Sequence, residues 1–153
     1  MELILWRHCE AAPGYPDAER PLTEAGMLQA ARMAAWLKPL LPKEPLIVVS
    51  PALRAQQTAQ VLSATFQTNP AVGTAAVPED ILRAVAWPYG EGTTVVVGHQ
   101  PTLGATAALA LTGMPGGSFV LPAGAIWWLF RNEQKRETLL RAVMTSDLVR
   151  VPA

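Results

Sequence analysis

One unit occurs three times in this sequence and constrains the fold more than any other feature: a short apolar run, then polar residues, then a helix start. The runs are 3–6, 46–49 and 94–97, and the polar residues after them include Arg7, Ser50 and His99. Such runs are typical of buried parallel strands, and ligands of open α/β sheets bind at the carboxyl ends of the strands. Strands that alternate with helices predict a three-layer α/β/α sandwich with a mostly parallel sheet.

Local signals predict where these elements begin and end. Thr23 is a good N-cap for a helix over 24–40, and Ser50 as N-cap with Pro51 predicts a second helix to about Phe66. The other predicted elements are a third strand at 72–77, a short helix and a loop in 78–92, a helix that Pro101 opens and that runs to about Leu111, and an antiparallel edge pair formed by 125–130 and 139–144.

Length and charge narrow the function classes. The chain has 153 residues and is 50% hydrophobic, which predicts a single domain over 1–153 with an ample core. Twelve basic and twelve acidic residues cancel without a run of like charge, so neither nucleic acid nor a membrane is an expected partner. A single cysteine, Cys9, and the lack of room for a secretory signal before the first strand predict a cytoplasmic protein.

The chain has two histidines, and each follows directly on a predicted core strand. His8 comes with Arg7 at the end of the first strand, and His99 comes after the strand at 94–97. Arg54 lies one turn into the helix after the second strand, so we expect all four side chains to converge in one crevice. Two guanidinium forks and two imidazoles suit a tetrahedral dianion such as phosphate. A neutral imidazole would attack phosphorus while the arginines neutralise charge on the equatorial oxygens.

A metal centre is the alternative interpretation of His8, Cys9, Glu10 and His99, because all four are ligand types. Adjacent residues of an extended strand point to opposite sides, so His8 and Cys9 do not easily share one ion, and two nearby arginines would repel it. We therefore expect no metal. We expect Cys9 to be a packing residue, although a thiol beside arginines can have a lowered pKa.

The sequence leaves the general acid open. Glu79 and Asp80 follow the predicted third strand and would reach the crevice from there, whereas Glu10 lies just past His8. Glu79 is our first candidate for a catalytic carboxyl group, and a reaction without such an acid is the other possibility. Residues 88–90 are expected to form part of the substrate rim.

Four motifs together resemble the histidine phosphatase superfamily, also called the phosphoglycerate mutase-like fold. They are RHCEA, RPLTEAG, SPALRAQQTA and VVGHQP. Within that family, the short length and RPLTEAG look most like the SixA-type phosphohistidine phosphatases. The resemblance implies that His8 is the nucleophile that becomes a phosphohistidine and that its phosphate-binding partners are Arg7, Arg54 and His99. It also implies that no metal or cofactor takes part. Cys9 departs from the family motif, which has glycine there, and this affects the expected rate more than the expected class.

Larger family members insert a lid between the third and fourth strands. Here that interval is only 78–92, so we expect an open site, which suits a phosphorylated side chain on another protein. An imidazole leaving group, with a pKa near ~6.5, needs less help from an acid than an alkoxide does. Phosphohistidine on a signalling or phosphotransfer protein is the first substrate hypothesis, and a small phosphate ester is the second. A phosphate-binding regulatory domain without turnover is the third hypothesis, motivated by Cys9 and the open choice of acid.

Overall fold

The computed structural model describes residues 1–150, in which strands and helices alternate along most of the chain. The elements are β1 (Glu2–Arg7), α1 (Glu24–Leu37), β2 (Leu46–Val49), α2 (Leu53–Leu62), β3 (Gln67–Thr68), α3 (Pro78–Ala84), β4 (Thr93–Gly98), α4 (Thr102–Thr112), β5 (Ile126–Asn132) and β6 (Glu137–Met144). Short 3₁₀ turns lie at Asp17–Glu19, Lys38–Leu40, Pro70–Val72 and Ser146–Leu148. No helix within residues 1–150 is both long enough and apolar enough to cross a membrane.

The strands of residues 1–150 form one sheet in the order β3-β2-β4-β1-β5-β6. Strands β3, β2, β4 and β1 run parallel to one another, whereas β5 is antiparallel to both β1 and β6. This confirms the predicted mostly parallel sheet with an antiparallel edge. The central strand β1 is covered on both faces, and its residues from Leu3 to Trp6 are 0% exposed. An uninterrupted apolar run therefore marks it in the sequence.

Alternate residues of the strands face two separate cores, one on each side of the sheet. On one side Trp6 packs with Leu37 of α1 and Ala59 of α2. On the other side Leu5 packs with Leu103 of α4. Helices therefore cover both faces, which confirms the predicted three-layer α/β/α sandwich. Each fully buried leucine contributes about 1.5–3 kcal/mol relative to an exposed one.

Helix α2 is shorter at both ends than the predicted helix, which ran from Pro51 to about Phe66. The N-cap is Ala52, not Ser50, and the hydroxyl of Ser50 accepts a hydrogen bond from the Ala52 amide at 3.2 Å. At the other end the backbone of Ser63 is extended, and its hydroxyl accepts from the Thr65 amide at 3.1 Å. The prediction that the helix reaches Phe66 was therefore wrong, because a serine whose side chain bonds the local backbone ends it.

The predicted strand at 72–77 was also wrong. Val72 ends a 3₁₀ turn, which the side chain of Asn69 begins by accepting from the Ala71 amide at 2.9 Å. Strand β3 lies earlier in the chain and pairs with β2 over two residues. Val72 is 1% exposed, so the turn buries it in the core without placing it in the sheet.

Two further helix boundaries differ from the prediction. Helix α1 ends at Leu37, before the predicted end at 40, and continues as a 3₁₀ turn that contains Pro39. Proline cannot donate the hydrogen bond that would continue the α-helix. Pro101 is the N-cap of α4 rather than its first residue.

Candidate active site

Three adjacent strands end at the same edge of the sheet and place polar side chains in a row. The amide of Ser50 donates to Val97 after β2, and the amide of His8 donates to Gly98 after β1, both at 3.0 Å. His99 follows β4, which lies between these two strands. The imidazole centroids of His8 and His99 are 5.1 Å apart. Strand pairing alone thus brings together residues that are far apart in sequence.

A cleft of about 310 Å³ opens at this edge. The residues that line it are Arg7, His8, Asp17, Arg20, Arg54, Thr74, His99, Gln100, Pro101 and Thr102. The cleft contains His8, the predicted nucleophile, and its three predicted phosphate-binding partners Arg7, Arg54 and His99. Glu79, predicted as a catalytic residue, is exposed at the start of α3 and is not among the residues that line the cleft.

Hydrogen bonds fix the tautomer of His8. Its Nδ1 lies 2.7 Å from the carbonyl oxygen of Cys9. A carbonyl only accepts, so Nδ1 carries the proton. The Nε of Arg54 donates to His8 Nε2 at 3.3 Å, so Nε2 is unprotonated and its lone pair is the acceptor. His8 is therefore neutral, with Nε2 as its basic nitrogen and a guanidinium beside it.

The backbone around His8 is tied to helices α1 and α2. The Cys9 amide donates to the hydroxyl of Thr58 at 3.1 Å, and this hydroxyl donates to the carbonyl of Arg54 at 2.8 Å. One buried threonine thus links the chain at His8 to the helix that carries Arg54. Close packing adds to this, because a Cβ on Gly26 would lie only 2.0 Å from the carbonyl oxygen of Glu10.

Arg7 is held by the loop before β5. Its Nη1 donates to the carbonyl of Leu121 at 2.7 Å. Gly104 lets this loop approach α4, since a Cβ there would lie 1.7 Å from the carbonyl oxygen of Phe119. The side chain of Gln100 donates to the same carbonyl at 2.7 Å. Helix α4 therefore sets the position of the loop and, through it, of Arg7.

His99 is oriented by Ser50, the residue predicted as a helix cap. His99 Nε2 lies 2.7 Å from the Ser50 hydroxyl. This hydroxyl already accepts from the Ala52 amide, so its own proton is available to His99. We had predicted Ser50 as a helix cap and had not predicted its contact with His99.

Two buried side-chain nitrogens of the site are without a hydrogen-bond partner among residues 1–150. They are Nε of Arg7 and Nδ1 of His99. Both residues line the cleft, and the side chain of His99 is 6% exposed. An unpaired buried polar group costs about 1–3 kcal/mol. A ligand with acceptor oxygens in the cleft would remove this cost.

The environment keeps both imidazoles neutral. Burial lowers the pKa of His8 to about 4, and the charge of Arg54 adds to this effect while the hydrogen bond to Cys9 opposes it. Burial and the neighbouring His8 and Arg54 lower the pKa of His99 to about 3. Desolvation disfavours the charged form of an imidazole, so a basic nitrogen is available at neutral pH.

Proton NMR titration of the imidazoles should therefore give two midpoints well below the ordinary value near ~6.5. We expect His8 to titrate at about 4 and His99 at about 3. The chain has two histidines, so a His99→Gln variant suffices to assign both signals. A midpoint near neutrality for His8 would contradict the neutral tautomer derived above.

Cys9 is completely buried, and burial raises the pKa of its thiol to about 12. The thiol stays protonated at neutral pH, so the arginines do not activate it as the sequence analysis had allowed. A Cβ on Gly124 would lie 3.2 Å from the Cys9 sulfur. The side chain thus fills space next to His8, in agreement with the packing role that we had predicted for it.

The other carboxyl groups considered as acids also lie apart from the cleft lining. Asp80 accepts from the Val77 amide at 3.3 Å and from Arg83 at 3.2 Å, so it stabilises the start of α3. Glu10 is exposed. Asp17, which sequence analysis missed, is the one carboxylate that lines the cleft among residues 1–150.

Two further predictions concern the surroundings of the cleft. Residues 88–90 do not form its rim and are not among the residues that line the cleft. Gly90 lies against Met1, at the opposite end of β1 from His8, since a Cβ on Gly90 would be 3.0 Å from the Met1 sulfur. Among residues 1–150, no three side chains of the metal-ligating types histidine, cysteine, aspartate and glutamate are grouped so that they could hold an ion.

The sequence and the fold are similar to those of known proteins. Residues 3–79 match the family model of the histidine phosphatase superfamily (branch 1). The protein histidine phosphatase SixA complexed with tungstate has a TM-score of 0.84 at 23% identity, over 98% of this chain and 100% of that one. The candidate phosphohistidine phosphatase SixA from Nakamurella multipartitia has a TM-score of 0.76 at 28% identity, over 94% of each chain. A phosphoserine phosphatase mutant from Entamoeba histolytica has a TM-score of 0.70 at 17% identity, over 95% of this chain and 97% of that one.

Proposed function

The chain belongs to the histidine phosphatase superfamily, branch 1, and we propose that it is a phosphatase in which His8 takes the phosphoryl group from the substrate. One observation carries this proposal. His8 is a neutral imidazole whose Nε2 lone pair lies beside Arg54, in a cleft that also contains Arg7 and His99. A basic nitrogen among cationic donors suits attack on a phosphoryl dianion.

The first step forms a bond between His8 Nε2 and phosphorus and breaks the bond from phosphorus to the leaving group. The electron pair of the broken bond leaves with that group, which takes a proton from solvent. In the second step a water molecule attacks phospho-His8 and inorganic phosphate leaves. His8 then regains its Nε2 lone pair, while the hydrogen bond from Nδ1 to Cys9 holds the ring throughout.

Arg7, Arg54 and His99 bind the phosphoryl oxygens in this proposal. The buried nitrogens without partners, Arg7 Nε and His99 Nδ1, support this role because each needs an acceptor. If the Ser50 proton is directed to His99 Nε2, the His99 proton lies on Nδ1 and is free to be donated to a phosphoryl oxygen. The guanidiniums supply the positive charge that a metal ion supplies in other phosphatases.

Phosphohistidine on another protein is the substrate that we propose. Asp17 is the carboxylate in the cleft lining within residues 1–150, and its ion pairs with Arg20 and Arg54 hold its pKa below the ordinary range. It is therefore ionised at neutral pH and does not act as a proton donor. An imidazole leaving group needs such a donor less than an alkoxide does. The likeness to SixA-type phosphatases supports the same substrate.

A small phosphate ester is the second candidate, and the size of the cleft favours it. A volume of about 310 Å³ is at the low end of the range for small-molecule sites. The fold is also similar to that of a phosphoserine phosphatase. Only a direct comparison of substrates separates the two candidates.

The test compares phosphate release from a phosphohistidine-bearing protein domain with release from a panel of small esters that includes phosphoserine. Wild type and His8→Ala are assayed in parallel without added metal. We expect a higher kcat/KM for the phosphoprotein and no release above background by His8→Ala. Faster turnover of an ester would keep the phosphatase and exclude the protein substrate. Tungstate binding without turnover of any substrate would instead indicate a regulatory domain.

A further inference from the structure

Asp17 lies in the loop between His8 and α1, and it contacts Arg54 through two different groups. Nη1 of Arg54 donates to the main-chain carbonyl of Asp17 at 2.8 Å, and Nη2 donates to its carboxylate at 3.1 Å. The other carboxylate oxygen accepts from Arg20 at 2.9 Å. Asp17, a loop residue, thus accepts hydrogen bonds from both terminal nitrogens of Arg54, which belongs to α2.

A guanidinium has five N–H donors. Three of them are accounted for in Arg54: one on each terminal nitrogen, directed to Asp17, and the Nε proton, directed to His8 Nε2. One donor remains on each terminal nitrogen. Asp17 therefore fixes the outer end of the guanidinium, while Nε faces the nitrogen that is proposed to receive the phosphoryl group.

We infer that Asp17 is a positioning residue for the reaction: it holds Arg54 so that Nε stays directed at the phosphoryl group as that group is transferred to His8. This inference rests on the proposed function of His8. Once Nε2 binds phosphorus it has no lone pair, so the Nε–H group of Arg54 donates its hydrogen bond to a phosphoryl oxygen instead. The guanidinium stays beside the phosphoryl group during this exchange, because its terminal nitrogens remain bound to Asp17.

Burial and charge support this role. The side chain of Arg54 is 6% exposed, whereas that of Asp17 is 58% exposed. A buried guanidinium needs a counter-charge, and Asp17 supplies one from the solvent side of the cleft. The pKa of Asp17 is lowered by its hydrogen bonds to Arg20 and Arg54, so the carboxylate keeps its charge at neutral pH.

A competing role gives the opposite result. A carboxylate that merely occupies Arg54 in the empty site would have to be displaced by phosphate, and its removal would tighten anion binding. A positioning carboxylate stays in place, so its removal weakens anion binding and slows transfer. The sign of the change in affinity for a tetrahedral oxyanion therefore separates the two roles.

The test uses Asp17→Ala and Asp17→Asn, with Glu19→Ala as the matched control. Glu19 lies in the same 3₁₀ turn, is exposed, and is not among the residues that line the cleft. We measure the Kd for tungstate by calorimetry and the single-turnover rate of phosphoenzyme formation. For Asp17→Ala we expect Kd to rise and the rate to fall by about 5- to 10-fold each, a modest effect because the ion pair is partly exposed. Asp17→Asn should lose less, since its amide oxygen still accepts from Nη2, and Glu19→Ala should match wild type.

An unchanged or lower Kd in the Asp17 variants, with phosphoenzyme formed normally by wild type, would overturn this inference alone. An equal loss in Glu19→Ala would also overturn it, because the effect would then belong to the turn as a whole. Absence of phosphoenzyme in wild type would overturn the proposed function and this inference together. Circular dichroism of each variant confirms that the fold is intact.

Discussion

Replacement of His8 with alanine should abolish phosphate release, with a loss of at least about 10³-fold in kcat. The imidazole supplies the Nε2 lone pair that lies next to Arg54, whereas Nε2 of His99 is hydrogen-bonded to Ser50 and the thiol of Cys9 stays protonated and buried. We therefore expect neither His99 nor Cys9 to take over the transfer. The measurement is steady-state phosphate release, with thermal unfolding to show that the variant is folded.

His99→Gln is the matched control for this experiment. It removes the other imidazole of the cleft, which we propose as a donor to the phosphoryl group and not as its acceptor. We expect His99→Gln to form phosphoenzyme slowly and His8→Ala to form none. If His99→Gln lost the phosphoenzyme and His8→Ala kept it, the two histidines would have exchanged roles relative to our proposal.

Replacement of Arg54 with lysine should lower kcat/KM by about 10²- to 10³-fold, the effect of losing one preorganised donor to a transition-state oxyanion. Arg54 contacts His8 Nε2 and both acceptors of Asp17 at the same time. A lysine ammonium is a single point charge on a flexible stem and does not reproduce this geometry. Lysine keeps the positive charge, so any loss of kcat/KM shows that the planar arrangement of the guanidinium donors is needed.

Arg32→Lys serves as the control for Arg54→Lys. Arg32 is exposed on α1 and is not among the residues that line the cleft, so its replacement should leave kcat/KM within about 2-fold, as for other surface changes. Wild-type kcat/KM in Arg54→Lys would show that charge alone suffices. The requirement for a guanidinium at this position would then be wrong.

Much of the fold follows from local sequence because the central strands are buried on both faces. The runs at 3–6 and 94–97 contain almost nothing but large apolar residues, so they predict β1 and β4 directly. The prediction of a strand at 72–77 was wrong because β-branched residues also fill cores outside sheets, as Val72 does in a 3₁₀ turn. Strand β3 has only two residues, which is too short to show any periodicity.

The side chains of the site divide in the same way. His8 and Arg7 lie at the end of β1, His99 follows β4, and Arg54 lies at the start of α2. The positions of these side chains follow from the order of elements alone. Asp17 and Arg20 come from an irregular loop, whose path depends on contacts such as that between Arg20 Nε and the Ala12 carbonyl at 2.9 Å. No pattern of residue types encodes such a path. For the same reason Glu79 could not be excluded from the sequence, since its distance from the cleft depends on the turn before α3.

If His8 carries the phosphoryl group, as we propose, phospho-His8 can be trapped during a single turnover. Wild type, His99→Gln and His8→Ala are mixed with a domain that carries radiolabelled phosphohistidine, quenched within one turnover, and separated by denaturing electrophoresis at alkaline pH. We expect label on wild type that survives alkali and is lost in acid, as is typical of a phosphoramidate, and no label on His8→Ala. Label of equal intensity on His8→Ala, or label on wild type that survives acid, would contradict this proposal.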